Sequence, residues 1–349
     1  MKVALVCPYD LGKAGGVQDQ VFRIARWLRS SGHEAVVVGP GNTGPEDSIL
    51  VGSTATIPAN RASTPISLNP RIGRRLAEAV EDVDVVHIHE PLMPTVSLAA
   101  TRFSHKPTVG TFHADAPGWA RFGYSLAQPL TKAAIARLDV LTAVSDVARS
   151  SIAGINDVRI IPNGIDVDQY GVGDKTPSSV SFLGRDDPRK GLDILLSAWP
   201  LVVARVPEAT LTVVGAARDE EIVGVTFAGR VSEEEKRLLL SQAEIYVAPN
   251  LGGESFGIVV AEGMASRCAV VASAIPAFVH VLGDSGTFVQ PGDVAGLAQA
   301  IAGLLADPSR RWSLAEVGRE RVGRFDRSTV VDSYLGAYEA AISRYRPLS

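Results

Sequence analysis

Short, largely apolar runs alternate with longer amphipathic segments along the 349 residues of this chain. Val3–Cys7, Ala35–Val38, Val83–Ile88, Thr108–Phe112, Val140–Val144 and Val158–Ile161 lack the strict polar alternation of a half-exposed strand. Such runs mark strands covered on both faces, as in a parallel sheet. Between them, Val17–Arg29, Pro70–Val80 and Thr131–Leu138 carry helical periodicity. The series then restarts. Val180–Leu183, Leu211–Val214, Thr226–Phe227, Ile245–Ala248 and Ala269–Ala272 read as strands, with helices expected over Leu192–Arg205, Glu233–Gln242 and Phe256–Ala265. After Pro291-Gly292 the pattern is almost wholly helical to Arg346. Alternating strands and helices predict an α/β protein with two doubly wound, Rossmann-like domains. The turn-rich Pro162-Asn163-Gly164-Ile165-Asp166 separates them, giving domains of 1–165 and 166–327 ahead of a final helix. In such sheets ligands bind beyond the carboxyl ends of the strands, so the expected active site is a cleft between the two sheets.

Composition narrows the function. The apolar share is 46%, enough for ordinary cores, and the formal net charge is −4, which argues against a nucleic-acid partner. The two cysteines, Cys7 and Cys268, are far apart in apolar runs and read as buried thiols of a reducing compartment. Met1–Tyr9 lacks the pattern of a signal peptide, and no run approaches the roughly 18 apolar residues that span a bilayer. The expectation is a cytoplasmic protein.

Four constellations could carry chemistry. The loop Asp10–Gln18 contains Gly15 and Gly16 just before a helix, where free N–H groups and the helix dipole favour a diphosphate. Phe182–Gly191 places Arg185 and Lys190 in one short loop after a strand, two fixed cations suited to a departing diphosphate. Asp186-Asp187 in that loop reads as an ion-pairing element rather than a metal site. Gly252-Gly253-Glu254-Ser255-Phe256-Gly257-Ile258-Val259-Val260-Ala261-Glu262 is the most specific. If Phe256-Gly257-Ile258-Val259 formed the first helical turn, Glu254 and Glu262 would lie roughly 12 Å apart along the axis. That spacing suits one carboxylate on a sugar and another on a ribose, with Ser255 to Val259 supplying amides to the phosphates between. Fourth, His113 ends a strand within Val109–Asp115. His87-Ile88-His89-Glu90-Pro91 imitates metal-ligand spacing, but no metal site is expected.

In this order these elements resemble the family-4 retaining glycosyltransferases, two-domain enzymes of the GT-B fold, over essentially the whole chain. Val6-Cys7-Pro8-Tyr9, Gly15-Gly16-Val17-Gln18, Val86–Pro91, Thr111-Phe112-His113, Ala143–Asp146, Ile161–Gly164 and Leu251–Val259 are most similar to the branch of that family that moves mannose from GDP-mannose to phosphatidylinositol. The resemblance implies catalytic roles for His113, Arg185, Lys190 and Glu254. It implies donor contacts from Gly15, Gly16, Arg185, Lys190, Val231, Lys236, Ser255, Phe256, Gly257, Ile258, Val259 and Glu262, with Glu262 on the ribose and Val231 and Lys236 by the guanine. Tyr9 and Asn60 would meet the acceptor. A helix over about 328–349 would cross back onto the first domain. No obligatory cofactor is implied beyond the nucleotide-sugar, and Mg2+ assistance is left open. Arg71, Arg74 and Arg75 suggest peripheral contact with an anionic membrane, at the inner face of the plasma membrane.

The acceptor side departs from the family pattern. In Ile57–Ser67, Ala59 stands where the family has an aromatic residue and Pro65 where it has a phosphate-binding arginine, and Ala114–Gly118 lacks the expected hydroxyls and lysine. Two other readings therefore stand beside transfer to a lipid. One keeps the fold but uses UDP-glucose or UDP-N-acetylglucosamine, or a soluble acceptor. The other is a catalytically silent nucleotide-sugar-binding protein.

Overall fold

The computed structural model describes residues 1–53, 55–59, 62–66, 72–113, 128–150, 152, 155, 157–171 and 173–346. The chain divides into two compact units, one of Met1–Asn163 with Val330–Ser349 and the other of Gly164–Thr329.

The first unit holds a sheet of seven strands. These are β1 (Lys2–Val6), β2 (Glu34–Gly39), β3 (Ser48–Leu50), β6 (Val85–His89), β7 (Thr108–Phe112), β8 (Val140–Ala143) and β9 (Val158–Ile160), in the order β3-β2-β1-β6-β7-β8-β9 and all parallel. Val3 to Val6 are wholly buried because helices cover both faces of the sheet. The helix Gly16–Ser30 turns Val21, Ile24, Ala25, Trp27 and Leu28 inward, a stripe at helical spacing. The final helix, Arg327–Arg344, adds Val330, Val331, Tyr334, Ala337, Tyr338 and Ala341 to the same core. A separate antiparallel ribbon, β4 (Ala55–Ala59) with β5 (Ala62–Ile66), contains Pro58 and Pro65. Sequence patterning gives no sign of it, since proline argues against central strands, and a two-stranded ribbon offers only edges.

In the second unit the strands are β10 (Ser179–Leu183), β11 (Thr210–Val214), β12 (Val225–Gly229), β13 (Ile245–Ala248), β14 (Ala269–Ser273) and β15 (Gly286–Val289). Their order is β12-β11-β10-β13-β14-β15, again all parallel. In both sheets the order reverses beside the first strand, at β1/β6 and at β10/β13. Loops leaving neighbouring carboxyl ends diverge at these points and open a crevice, the usual ligand position in doubly wound sheets. Strand β15 and the helix Pro276–Leu282 are too short to announce themselves by periodicity.

Three histidines of the first unit replace apolar side chains in its interior. His87 and His89 lie two apart on β6 and so share a face, with ring centroids 4.1 Å apart. His87 meets the Tyr338 hydroxyl through Nδ1 at 2.9 Å and the Thr111 hydroxyl through Nε2 at 2.6 Å. His89 Nδ1 meets His113 Nε2 at 2.7 Å. The His87-Ile88-His89 spacing thus builds a buried polar network, in which His89 Nε2 is left without a hydrogen-bond partner among the described residues. Among the described residues no group of three or more metal-ligating side chains is placed to hold a metal ion.

Burial pushes His87 down to about 3, with His113 adding to the effect, and His113 down to about 4, partly offset by the Asn163 side chain. His89 is driven well below the ordinary value by the same cause. The unfolded chain, titrating near 6.5 at each histidine, therefore binds more protons than the folded one once pH falls below that value. Stability is fully present above pH ~6.5 and falls as pH drops toward 4, by up to about 1.4 kcal/mol per pH unit for each histidine. Urea unfolding at pH 7.5 and 5.5 is expected to show a clear drop in midpoint at the lower value; equal midpoints would refute the neutral, buried assignment.

Candidate functional site

Loop geometry brings two of the sequence candidates together at the β10/β13 switch point. After β10 the chain passes Gly184 and Arg185 into a single 3-10 turn, Pro188–Lys190. Asp187 caps that turn by accepting the Arg189 backbone N–H at 2.9 Å, and Pro188 opens it without needing a donor. Gly191 closes it at φ +72°, where a Cβ would lie 2.0 Å from the carbonyl oxygen of Pro249 in the loop after β13. Only glycine permits this approach. The two loops are further joined by the Leu251 N–H donating to the Arg189 carbonyl at 2.8 Å.

Closure of the loops sets Lys190 against Glu254. The Lys190 ammonium donates to Glu254 Oε1, and Asn250, itself buried, donates to the same oxygen through Nδ2 at 2.9 Å. The ion pair keeps about a fifth of each side chain open to solvent, 22% for Lys190 and 18% for Glu254. Arg185 is exposed and close enough to Asp187 to help lower its pKa. The hydrogen bonds from Arg189, with Arg185 adding to them, hold the Asp187 carboxyl down at about 2. Asp186 is held below its ordinary range by Arg218, which donates to it at 2.7 and 2.9 Å and also reaches Asp193. The adjacent aspartates thus act as anchors for arginines.

The third constellation differs from its expected shape. The helix runs Ile258–Ala265, so Phe256 and Gly257 precede it. Gly257 sits at φ +95°, and a Cβ there would come within 2.7 Å of the Phe278 ring. Phe256 is buried edge-on to Phe325, with centroids 5.4 Å apart. These two packing demands delay the helix by two residues. Glu254 therefore belongs to a loop, and the 12 Å helical spacing to Glu262 does not apply. Gly252 and Gly253, at φ +146° and +73°, provide the left-handed backbone of that loop, and Ser255 is half-buried beside it. Ile258 and Val259 form the first turn and are partly open.

Glu262 is buried within the helix. Its Oε1 accepts from the Tyr170 hydroxyl at 2.8 Å and from the Lys236 ammonium at 2.9 Å. Lys236 also donates to Glu233 at 2.8 Å. Burial works against the Lys236 charge, but the two carboxylates outweigh it and raise its pKa above the ordinary lysine value. Lys236 rides on the helix Glu233–Gln242, capped by Ser232 accepting the Glu235 N–H at 3.1 Å, and half-buried Val231 directly precedes the cap.

In the first unit, Gly15 and Gly16 start the helix Gly16–Ser30. Gly15 is its N-cap and faces Gln18, while nothing lies within 4 Å of where a Gly16 Cβ would be. His113 follows β7, is buried, and donates its backbone N–H to Glu90 Oε1 at 2.7 Å. Glu90 adopts φ +47°, a strained conformation for a non-glycine residue at a strand end. His113 is neutral at physiological pH and can exchange a hydrogen bond but carries no charge. Tyr9 is half-buried against the core just past β1. Asn60, Arg71 and Ala114–Gly118 lie outside the described residues. Asn250 and Tyr170 escaped sequence reasoning, and His89 and Glu90 entered it only as part of a run that imitates metal-ligand spacing and resembles the family, without a role in the site. Asn250 and Glu90 sit next to strand ends and could have been flagged by position, whereas the contact of Tyr170 with Glu262 spans 92 residues and leaves no local trace.

Residues 14–169 match the family described as Glycosyltransferase Family 4, and residues 177–307 the one described as Glycosyl transferases group 1. The chain is 36% identical to the phosphatidyl-myo-inositol mannosyltransferase of Mycolicibacterium smegmatis, over 97% of this chain and 94% of that one. Among solved structures, a glycosyltransferase from Rickettsia africae superposes with a TM-score of 0.76 at 18% identity, covering 99% of both chains. Anabaena Alr3699/HepE in complex with UDP gives 0.75 at 18% identity, covering 97% of this chain and all of that one. The structural likenesses establish a shared GT-B fold, and the sequence matches span nearly the whole chain. This chain belongs to glycosyltransferase family 4.

Proposed function

We propose that this protein is a retaining α-mannosyltransferase that moves mannose from GDP-mannose to a phosphatidylinositol-like acceptor at the inner face of the membrane. The observation that carries the reading is the Lys190–Glu254–Asn250 cluster at the β10/β13 switch point. The lipid-mannosylating name of a relative 36% identical across the chain supports it.

In this reading the donor lies along the loop ends of the second unit. Arg185 and Lys190 meet the diphosphate, helped by the amides of Ser255 to Val259 at the helix start. Glu254 takes the mannose hydroxyls, Glu262 the ribose, and Val231 and Lys236 flank the guanine. Gly15 and Gly16 offer the first unit's open helix start to a phosphate. Mannose C1 loses its bond to the β-phosphate oxygen, and the electron pair leaves with GDP. Negative charge grows on that oxygen, where two cations lower the barrier most because they stabilise the transition state more than the bound donor. The acceptor hydroxyl attacks C1 from the same face, and its proton passes to the departing phosphate. His113 hydrogen-bonds the sugar near the acceptor, and its neutral imidazole avoids repelling the forming oxocarbenium charge. Any Mg2+ would enter with the diphosphate, since Asp186 and Asp187 are engaged by arginines. Tyr9 and Asn60 serve the acceptor. Arg74 and Arg75, exposed on the helix Ile72–Ala79, favour peripheral binding to anionic lipid. Among the described residues no helix is long and apolar enough to cross a membrane.

Lys190→Ala and Glu254→Gln should each lower kcat/KM for GDP release by about a hundredfold or more, the usual cost of removing one charge-stabilising group. Activity within about threefold of wild type in steady-state assays would exclude both from the reaction. GDP should raise the melting temperature more than UDP, since a ligand at 100 times its Kd stabilises by about 2.7 kcal/mol. A shift with UDP alone would favour the UDP-sugar reading.

A further inference from the structure

Two observations single out Tyr170. It is 4% exposed, and its hydroxyl donates to Glu262 Oε1, the oxygen that also receives Lys236. The segment that carries it is clipped to the helix of Glu262 at a second point. Arg319 Nη1 donates to the Val167 carbonyl at 3.2 Å and to the carbonyl of Ala265, the last residue of that helix, at 2.5 Å. Further bonds hold the segment from the other side. Ile165 N–H donates to the Phe325 carbonyl at 2.9 Å, Arg327 N–H to the Ile165 carbonyl at 3.1 Å, and Val167 N–H to Asp326 Oδ1 at 3.1 Å. Tyr170 therefore stands on a fixed backbone, with a buried ring that has few rotamers to lose.

Lys236 alone is a poor fixture for Glu262. Its ammonium is shared with Glu233 on an exposed edge, and its stem has four rotatable bonds. A phenol hydroxyl on a packed ring fixes one carboxylate oxygen in direction as well as distance. With Oε1 pinned from two sides, the carboxylate cannot turn about its Cγ–Cδ bond, so the orientation it presents to a ligand is set before binding.

We propose that Tyr170 is a positioning residue for nucleotide recognition: its hydroxyl orients the Glu262 carboxylate for the ribose of the donor. The inference rests on the reading of Glu262 as the ribose ligand. Removing the hydroxyl leaves the ring, the packing and both ion pairs of Lys236 in place, and takes away one of the two bonds that orient Oε1.

Tyr170→Phe, Glu262→Gln and the double variant, each purified as the full chain, test this by calorimetric titration with GDP alongside steady-state kinetics with GDP-mannose. Glu262→Gln is expected to weaken GDP. Tyr170→Phe is expected to weaken GDP about tenfold, the size of one hydrogen bond to a charged group. It should raise KM for GDP-mannose in proportion while kcat stays within about twofold, since the reacting atoms lie elsewhere. The double variant should bind no more weakly than Glu262→Gln, because the hydroxyl acts through that carboxylate. A purely structural tyrosine would lower the melting temperature and leave the GDP affinity of the folded protein unchanged, which overturns the proposal. Should Glu262→Gln itself bind GDP as wild type does, the ribose reading of Glu262 falls and the proposal with it. Should Glu262→Gln weaken GDP while Tyr170→Phe does not, only the role of Tyr170 is lost.

Discussion

The proposed donor site depends on how closely the loop after β10 approaches the loop after β13. Neither loop is informative alone: one is a charged turn, the other a glycine-rich stretch ahead of a helix. Gly191 lets their backbones meet where any side chain would strike the Pro249 carbonyl, and the Leu251 amide then seals the contact. Lys190 and Glu254 are brought into an ion pair by that approach, with Asn250 as a second donor. Partial burial strengthens their attraction relative to an exposed pair, while the remaining exposure leaves both accessible to a ligand. A pair of this kind is preorganised: in the proposed reading each group already stands where the charge of a nucleotide-sugar would need it.

Supporting groups extend outward from this contact. Asp187 holds Arg189, whose carbonyl receives Leu251, and Asp186 draws Arg218 to the same loop. Within the helix Ile258–Ala265, buried Glu262 is held by Tyr170 and Lys236, since a buried polar oxygen needs hydrogen-bond partners. The first unit solves a different problem. Its histidines lie inside a sheet and remain uncharged, so His87 and His89 act as hydrogen-bonding core residues that place His113 at the end of β7.

Much of this was legible in the chain. Strands buried on both faces appear as apolar runs, and the cores form where those runs predict. Gly252-Gly253 with Glu254, and Arg185 with Lys190, stood out because glycine and fixed charge at strand ends have few structural uses. The start of the helix at Ile258 was not legible, because the packing of Phe256 on Phe325 and of Gly257 on Phe278 joins segments distant in sequence. The same holds for His87 with Tyr338, separated by 251 residues, and for Tyr170 with Glu262. The ribbon β4–β5 was hidden by its prolines. The segments expected to meet the acceptor include Asn60 and Ala114–Gly118, which lie outside the described residues, so the structure speaks more fully about the proposed donor side.

The most direct test of the central claim is a transfer reaction with purified protein, GDP-mannose and vesicles containing phosphatidylinositol, followed by mass spectrometry and NMR of the lipid. The account predicts one hexose added per lipid, α-linked to the inositol ring, with an equal amount of GDP released. Absence of a mannosylated lipid while GDP-mannose is consumed on a soluble acceptor, or a β-linked product, would contradict it.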